Sequence, residues 1–314
     1  MVDEIPAYAP SGEGDHYFVK VRKRRLSTSQ LTRALAKAAD CNERDIGAAG
    51  RKDSYAVTTQ WLSLPCKPIA PDDDRIELLE IVKHNHKLRM GHSHGNRFTI
   101  RWVDVHPEAA QRMPALIERT TRGLPNYFGP QRFGRDARGV PQSLRQLHAA
   151  RARKKELRFA VSVVQAVLFN QWLGARVRDG LLHSAVLGDV LKKRETGGLF
   201  ESEDPGIDAQ RVFESELDPT GPIYGPKMWS PGGVAGEREE SIRAQAPLSE
   251  DEWTKMAKWG KGSRRVARIV PQNVECHIED GALTAQFTLP PGAYATTVLA
   301  AWASPTGTSS VGST

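Results

Sequence analysis

Strand-type alternation stands near both ends of this chain and a long helical pattern lies between them. That arrangement constrains the fold more than any other feature. Tyr17, Val19 and Val21 recur at every second position, as do Phe98, Ile100 and Trp102. Leu283, Ala285, Phe287 and Leu289 repeat the pattern until Pro290-Pro291-Gly292 stops it. A period of two is the signature of a strand buried on one face. Residues 56–64 read as a further strand. Ser27-Thr28-Ser29-Gln30 is a capping box, and Leu31, Leu35 and Ala38 follow at helical spacing. Residues 107–121 read as a helix ended by Gly123 and Pro125. In the middle, residues 151–177 are helical and apolar on much of their circumference from Phe159 onward. Residues 189–200 suit a hairpin turning at Gly197-Gly198, residues 219–226 and 230–236 suit Pro- and Gly-rich loops, and residues 248–258 a short helix. The plan is an α+β domain built from both chain ends, with a second domain inserted between them. The small, polar residues 304–314 are expected to be a disordered tail.

With 39% hydrophobic residues in 314, there is material for real cores, and wholesale disorder is excluded. Lys and Arg number 44 against 37 Asp and Glu, a net charge of +7. The positive charge is clustered in residues 20–25, 151–158 and 255–268, and an acidic stretch, residues 201–218, separates the last two. Such clustering favours a polyanionic partner through counterion release, although ordinary solvated faces give the same pattern. Aromatic residues make up 7%, too few for an extended single-strand stacking platform. No apolar run reaches the ~18 residues of a membrane span, and the N-terminus lacks the form of a signal peptide. Three cysteines, Cys41, Cys66 and Cys276, make neither a disulfide framework nor a thiolate zinc site, so a cytoplasmic location is expected. His84, His86, His92 and His94 form two spaced pairs, but no Cys or acidic ligand set accompanies them. They read as surface histidines, and no metal is expected.

The segment richest in chemistry is Gly50-Arg51-Lys52-Asp53-Ser54-Tyr55-Ala56-Val57-Thr58-Thr59-Gln60. Gly50 permits a tight turn, and Asp53 then projects from a loop ahead of a strand. Arg51 and Lys52 are expected to keep its carboxylate ionised. An ionised Asp can act as nucleophile or base. Gly-x-x-Asp is also a common surface turn.

This segment resembles the Gly-x-Lys-Asp-x-x-Ala-x-Thr-x-Gln motif of the TruD family of tRNA pseudouridine synthases. Four more segments agree in order. His86-Lys87-Leu88-Arg89-Met90-Gly91 with Gly95-Asn96-Arg97-Phe98 is similar to the family's Lys-Leu-Arg-x-Gly…Gly-Asn-x-Phe motif. Pro125-Asn126-Tyr127-Phe128-Gly129-Pro130-Gln131-Arg132-Phe133-Gly134 resembles its Pro-Asn-Tyr-Phe-Gly-x-Gln-Arg-Phe-Gly signature. Leu168-Phe169-Asn170 sits in a matching helix, and Leu289-Pro290-Pro291-Gly292-Ala293-Tyr294-Ala295-Thr296 resembles a C-terminal motif. The resemblance runs over residues 4–302.

What it implies is a pseudouridine synthase-type, mixed and largely antiparallel sheet domain with flanking helices, residues 1–134 and 262–303, interrupted by an inserted α+β TRUD domain, residues 135–261. It implies an isomerase acting on a tRNA uridine, position 13 in the bacterial family, with no cofactor and no metal, and working as a monomer. Asp53 takes the place of the catalytic aspartate. Lys52, Asn96, Phe98 and Tyr294 are assigned to the uridine; Lys87, Arg89, Gln131, Arg132, Arg264 and Arg265 are assigned to the RNA. Without the resemblance, Phe98 and Tyr294 would read as core residues. The chief departure is a short N-terminus. Only Val2-Asp3-Glu4-Ile5-Pro6 matches the end of a longer family segment. Its absence is expected to leave an open sheet edge and to remove one positive neighbour of Asp53. A same-fold RNA-binding protein or tRNA chaperone with an incomplete site is the competing expectation.

Overall fold

The computed structural model describes residues 1–106, 108–133, 139–149 and 153–303. Its first elements, in chain order, are β1 (Val2–Pro6), β2 (His16–Arg24), α1 (Thr28–Ala38), β3 (Gly47–Ala48), β4 (Val57–Leu64), β5 (Ile76–His84) and β6 (Ser93–Trp102). The strands pair in the order β6-β1-β4-β2-β5, with β3 on β4. β1 runs parallel to β4, and every other ladder here is antiparallel. Val19, Val21, Leu62 and Leu64 are buried on one face, and α1 packs Leu31 and Leu35 against them. α1 begins at the expected capping box. Ser27 Oγ accepts from Gln30 N at 3.2 Å and Gln30 Oε1 accepts from Ser27 N at 2.9 Å, so two N–H groups of the first turn find partners.

The open edge expected at the short N-terminus is corrected. β1 pairs with β4 through Val2 and Asp3 and with β6 from Val2 to Pro6. Residues 2–6 therefore fill a central position, bonded on both sides.

α2 (Ala109–Arg122) leads out of the sheet. There follow β7 (Leu124–Pro125), α3 (Gly139–His148), α4 (Lys154–Arg178), β8 (Val190–Lys193), β9 (Leu199–Glu201), α5 (Pro205–Phe213), β10 (Leu217–Ile223), α6 (Gly233–Gln245), α7 (Glu250–Trp259), β11 (Ser263–Val266) and β12 (Arg268–Ile269). α4 is apolar around much of its circumference because it packs on two sides. Val161, Val164 and Leu168 meet Leu147, Tyr224 and Met256, while Phe169, Trp172 and Leu173 meet Tyr127, Leu182 and Ala267. β8 and β9 form the expected hairpin, and the second sheet has the order β11-β10-β8-β9.

One expected loop is a strand. Residues 217–223 form β10 despite Pro219 and Pro222. The ladder to β8 covers residues 217–219, and the ladder to β11 covers residues 220–223. Pro222 thus sits where the strand is paired with β11 alone, a local edge that tolerates a missing N–H, while the Pro219 carbonyl still accepts from Ala267 N at 2.7 Å beyond the end of β11. Gly221 is required there. A Cβ would lie 2.2 Å from the Trp172 ring of α4.

β13 (Gln272–Glu279) and β14 (Ala282–Leu289) return to the first sheet, and α8 (Ala295–Ala303) closes the described chain. β14 pairs with β6 from Leu283↔Trp102 to Leu289↔Asn96, which completes the order β13-β14-β6-β1-β4-β2-β5. The chain packs as two compact units. One is Met1–Thr121 with Pro271–Gly292; the other is Arg122–Val270 with the described residues from Ala293 onward. This division differs from the expected boundaries at 134 and 262. Residues 122–133 and 262–270 pack within the second unit, where β7 and β12 pair through Pro125↔Arg268 and Leu124↔Ile269. The expected tail, residues 304–314, lies outside the described residues. No helix among the described residues is long and apolar enough to cross a membrane.

Candidate active site

Strand register brings the site together in the first unit. Partners directly opposite in a sheet share a face. One such row reads Lys23 on β2, Thr58 on β4, Val2 on β1, Phe98 on β6 and Phe287 on β14. The Phe98 ring stacks on Phe287 at 5.6 Å between centroids and remains half-buried. Asn96, two residues from Phe98, lies opposite Glu4 of β1.

The loop ahead of β4 is held to this sheet at several points. Thr28 Oγ1 accepts from Lys52 N at 2.9 Å and donates to Gln60 Oε1 at 3.2 Å. Lys23 is wholly buried, and its Nζ donates to Leu26 O at 2.5 Å and to Asp53 O at 2.8 Å. Asp53 itself is exposed. Its Oδ1 accepts from Tyr55 N at 2.8 Å, a turn that fixes the carboxylate relative to its own backbone. Burial pushes the Lys23 ammonium down to about 8, with Asp53 opposing that shift and Lys52 adding to it.

Lys52 does something other than expected. Its Nζ lies 2.6 Å from Glu4 Oε2 and donates to Asn96 Oδ1 at 2.6 Å. Both members of the ion pair are almost fully buried, at 7% and 1% side-chain exposure, and Glu4 Oε1 accepts from Trp61 N at 3.1 Å. The ammonium expected to serve Asp53 is thus neutralised by Glu4. The buried cation bonded to the Asp53 backbone is Lys23. Arg51, the other expected neighbour, is exposed. Lys23 and Glu4 were not singled out as functional residues from sequence. A parity signal existed for Lys23, because it continues the buried series Val19, Val21.

Tyr294, also assigned to the uridine, belongs to the second unit. There its ring meets Phe128 at 6.2 Å, and Phe128 stacks under the Arg265 guanidinium at 3.9 Å. Arg265 Nη2 donates to Asn126 Oδ1 at 2.7 Å, and burial pushes its guanidinium down to about 10. Arg132 Nη2 donates to Ser162 O at 3.2 Å. The side chain of Gln131 lies outside the described residues. In the first unit, Lys87 Nζ donates to Arg44 O at 2.6 Å, and Arg89 is exposed.

For Arg264 the RNA-contact expectation is corrected. Its side chain is 2% exposed and pairs with Glu239 at 2.7 Å, with a further bond to Thr220 O. Arg268 in the same run is buried against Asp218 at 2.8 Å. These guanidiniums brace the second unit and are not available to solvent phosphates. Of the four histidines, His86 and His94 are exposed as expected and His92 is half-buried, but His84 is internal. His84 is buried between Tyr8 and Phe18, accepts from Ser11 N at Nδ1, and meets His86.

The family profile "tRNA pseudouridine synthase D (TruD)" matches residues 1–141 and 142–301. A tRNA pseudouridine synthase D of Anaeromyxobacter sp. (strain Fw109-5) is 42% identical over 95% of this chain and 88% of its own. That of a Thermus thermophilus strain is 34% identical over 95% of this chain and 85% of its own. A crystal structure of a Methanosarcina mazei protein assigned to tRNA pseudouridine synthase D superposes with a TM-score of 0.70, covering 95% of this chain and 90% of that one at 22% identity; it shows the shared fold. With a profile and relatives that span nearly its whole length, this chain belongs to the tRNA pseudouridine synthase D (TruD) family.

Proposed function

We propose that this chain isomerises a uridine of tRNA to pseudouridine, at position 13, with Asp53 as the catalytic carboxylate. The observation that carries this reading is an exposed carboxylate on a loop pinned by buried Lys23, on the sheet face that also presents Phe98. The N1–C1′ bond breaks as the carboxylate attacks C1′ or draws a proton beside it. The uracil turns, C5 bonds to C1′, the C5 proton leaves and N1 gains one. Substrate and product have the same composition, so the balance calls for no oxidant or group donor. The uridine must first leave the stack. Phe98 offers an aromatic face for the flipped base, and Asn96 and Lys52 a polar edge.

In this reading the sheet unit is the catalytic domain and the segment it brackets is the inserted TRUD domain. The enzyme acts as a monomer in the cytoplasm, where its three free cysteines stay reduced. Lys87, Arg89, Gln131 and Arg132 meet the RNA backbone. Exposed Arg89 is the cleanest of these to test. Arg89→Ala should weaken all tRNA substrates alike and lower the slope of log affinity against log salt by about 1.

Tritium release from tRNA carrying 5-tritiated uridine tests the reaction directly. Release, with the new pseudouridine mapped by mass spectrometry to position 13, is the expected result. Tight tRNA binding without release would overturn it and favour an RNA-binding or chaperone role.

A further inference from the structure

Lys23 is the one wholly buried lysine in the described sheet face around Asp53, and none of the bond-breaking and bond-making steps outlined above assigns it a role. Its position follows from strand parity. Val19 and Val21 are core residues, so the next residue on that face points inward as well. A buried ammonium persists only where acceptors replace water. Here the acceptors are the carbonyls of Leu26, which leads into α1, and of Asp53. One side chain on a sheet strand therefore joins the helix entry to the loop that carries the carboxylate.

We infer that Lys23 is a positioning residue for the pseudouridine reaction: its ammonium fixes the Asp53 backbone against the sheet and places a buried positive charge beneath the loop that carries the carboxylate. This rests on the reading of Asp53 as the catalytic group. The groups facing Lys23 support it. From the loop come Asp53 and Lys52, and Lys52 is neutralised by Glu4 of β1. Its sheet neighbours, Thr58 on β4 and Ile76 on β5, are uncharged. Asp53 is thus the one anion named among its neighbours that is not already paired with another cation.

Burial sets the ammonium at about 8 against an ordinary value of 10.5. Two consequences run in opposite directions. Above pH 8 the charge under the loop is lost, and turnover falls. Between about 8 and 10.5 the folded protein binds fewer protons at this site than the unfolded chain, so the site's contribution to stability rises with pH. A loss of activity caused by unfolding would show the reverse.

The test is the pH profile of kcat by tritium release, with the urea midpoint measured on the same samples, for wild type, Lys23→Met, Lys23→Arg and Asp53→Asn. Wild type should show an alkaline limb near pH 8 with no loss of midpoint. Lys23→Met should lower kcat about 10- to 100-fold with KM for tRNA little changed, and should lose that limb. Lys23→Arg should recover part of kcat and keep it to higher pH, since a guanidinium stays charged. A wild-type profile with no limb near pH 8 would overturn the inference even if neither Lys23 variant folds. Wild-type kcat and profile in a folded Lys23→Met, with Asp53→Asn inactive, would overturn it and leave the Asp53 reading standing. Turnover by Asp53→Asn would instead overturn the site itself.

Discussion

Asp53→Asn is expected to lower pseudouridine formation at least about 10³-fold, within the roughly 10²–10⁴ range of a positioned acid–base group, while tRNA binding survives. That loss corresponds to about 4 kcal/mol of barrier. The substitution is a narrow one structurally. An amide oxygen can still accept from Tyr55 N, and the backbone carbonyl that Lys23 holds is untouched. The side chain is exposed, so no buried partner is orphaned. What disappears is the negative charge. An amide neither attacks C1′ as a carboxylate does nor accepts a proton near neutral pH. Because Ser54 follows, an asparagine here is in a context prone to deamidation, and Asp53→Ala is the control for activity that returns on storage. Tritium release under single-turnover conditions, beside filter binding of the same tRNA, reads both halves of the expectation. Wild-type single-turnover rates in either variant would remove Asp53 from the mechanism.

The features legible in the sequence were those with local signatures. Period-two alternation located β2, β6 and β14, and the Ser27 box located the start of α1. Asp53 was legible through its motif, because a loop carboxylate has no periodicity of its own. Pairing that joins distant segments was not legible. Val2–Pro6 is too short to show a pattern, and its parallel alignment with β4 is set by hydrogen bonds to residues more than fifty positions away. The role of Glu4 follows from that pairing and was missed with it. Charge runs misled for a related reason. Residues 20–25 and 264–268 look uniformly solvated in linear order, yet in a strand alternate residues face opposite sides. Lys20 lies over Trp61 and Arg22 pairs with Glu77, whereas Lys23 is buried; Arg264 and Arg268 lie inside with Glu239 and Asp218. Composition reports how many charges there are, and strand parity decides which of them water can reach. Pro219 and Pro222 misled in the opposite sense. Prolines argue against a central strand, but not against one whose two ladders divide its length.

The buried pair of Lys52 with Glu4 lies beside the Asp53 loop, and its disruption should damage the fold. Lys52→Met is expected to destabilise the protein by about 3–5 kcal/mol, the usual effect of removing one member of a buried ion pair. The methionine keeps most of the side-chain volume, so packing changes little. The damage comes from Glu4, whose carboxylate remains in the sheet interior with Trp61 N as its hydrogen-bond donor. Glu4→Gln leaves Lys52 with Asn96 Oδ1 and a neutral amide, and should be milder. The double variant Glu4→Gln with Lys52→Met leaves no charge at either position of the pair and should recover part of the loss in Lys52→Met. Urea unfolding of the four proteins gives this coupling energy directly, since each single change is compared with the change made in the absence of its partner. Full additivity would mean that the two groups do not interact, contrary to their 2.6 Å separation. A recovery in the double variant would also separate stability from chemistry. If the pair serves only to lock β1 beside the Asp53 loop, the double variant should fold and retain turnover. If Lys52 also meets the uracil edge, stability should return while kcat/KM stays low.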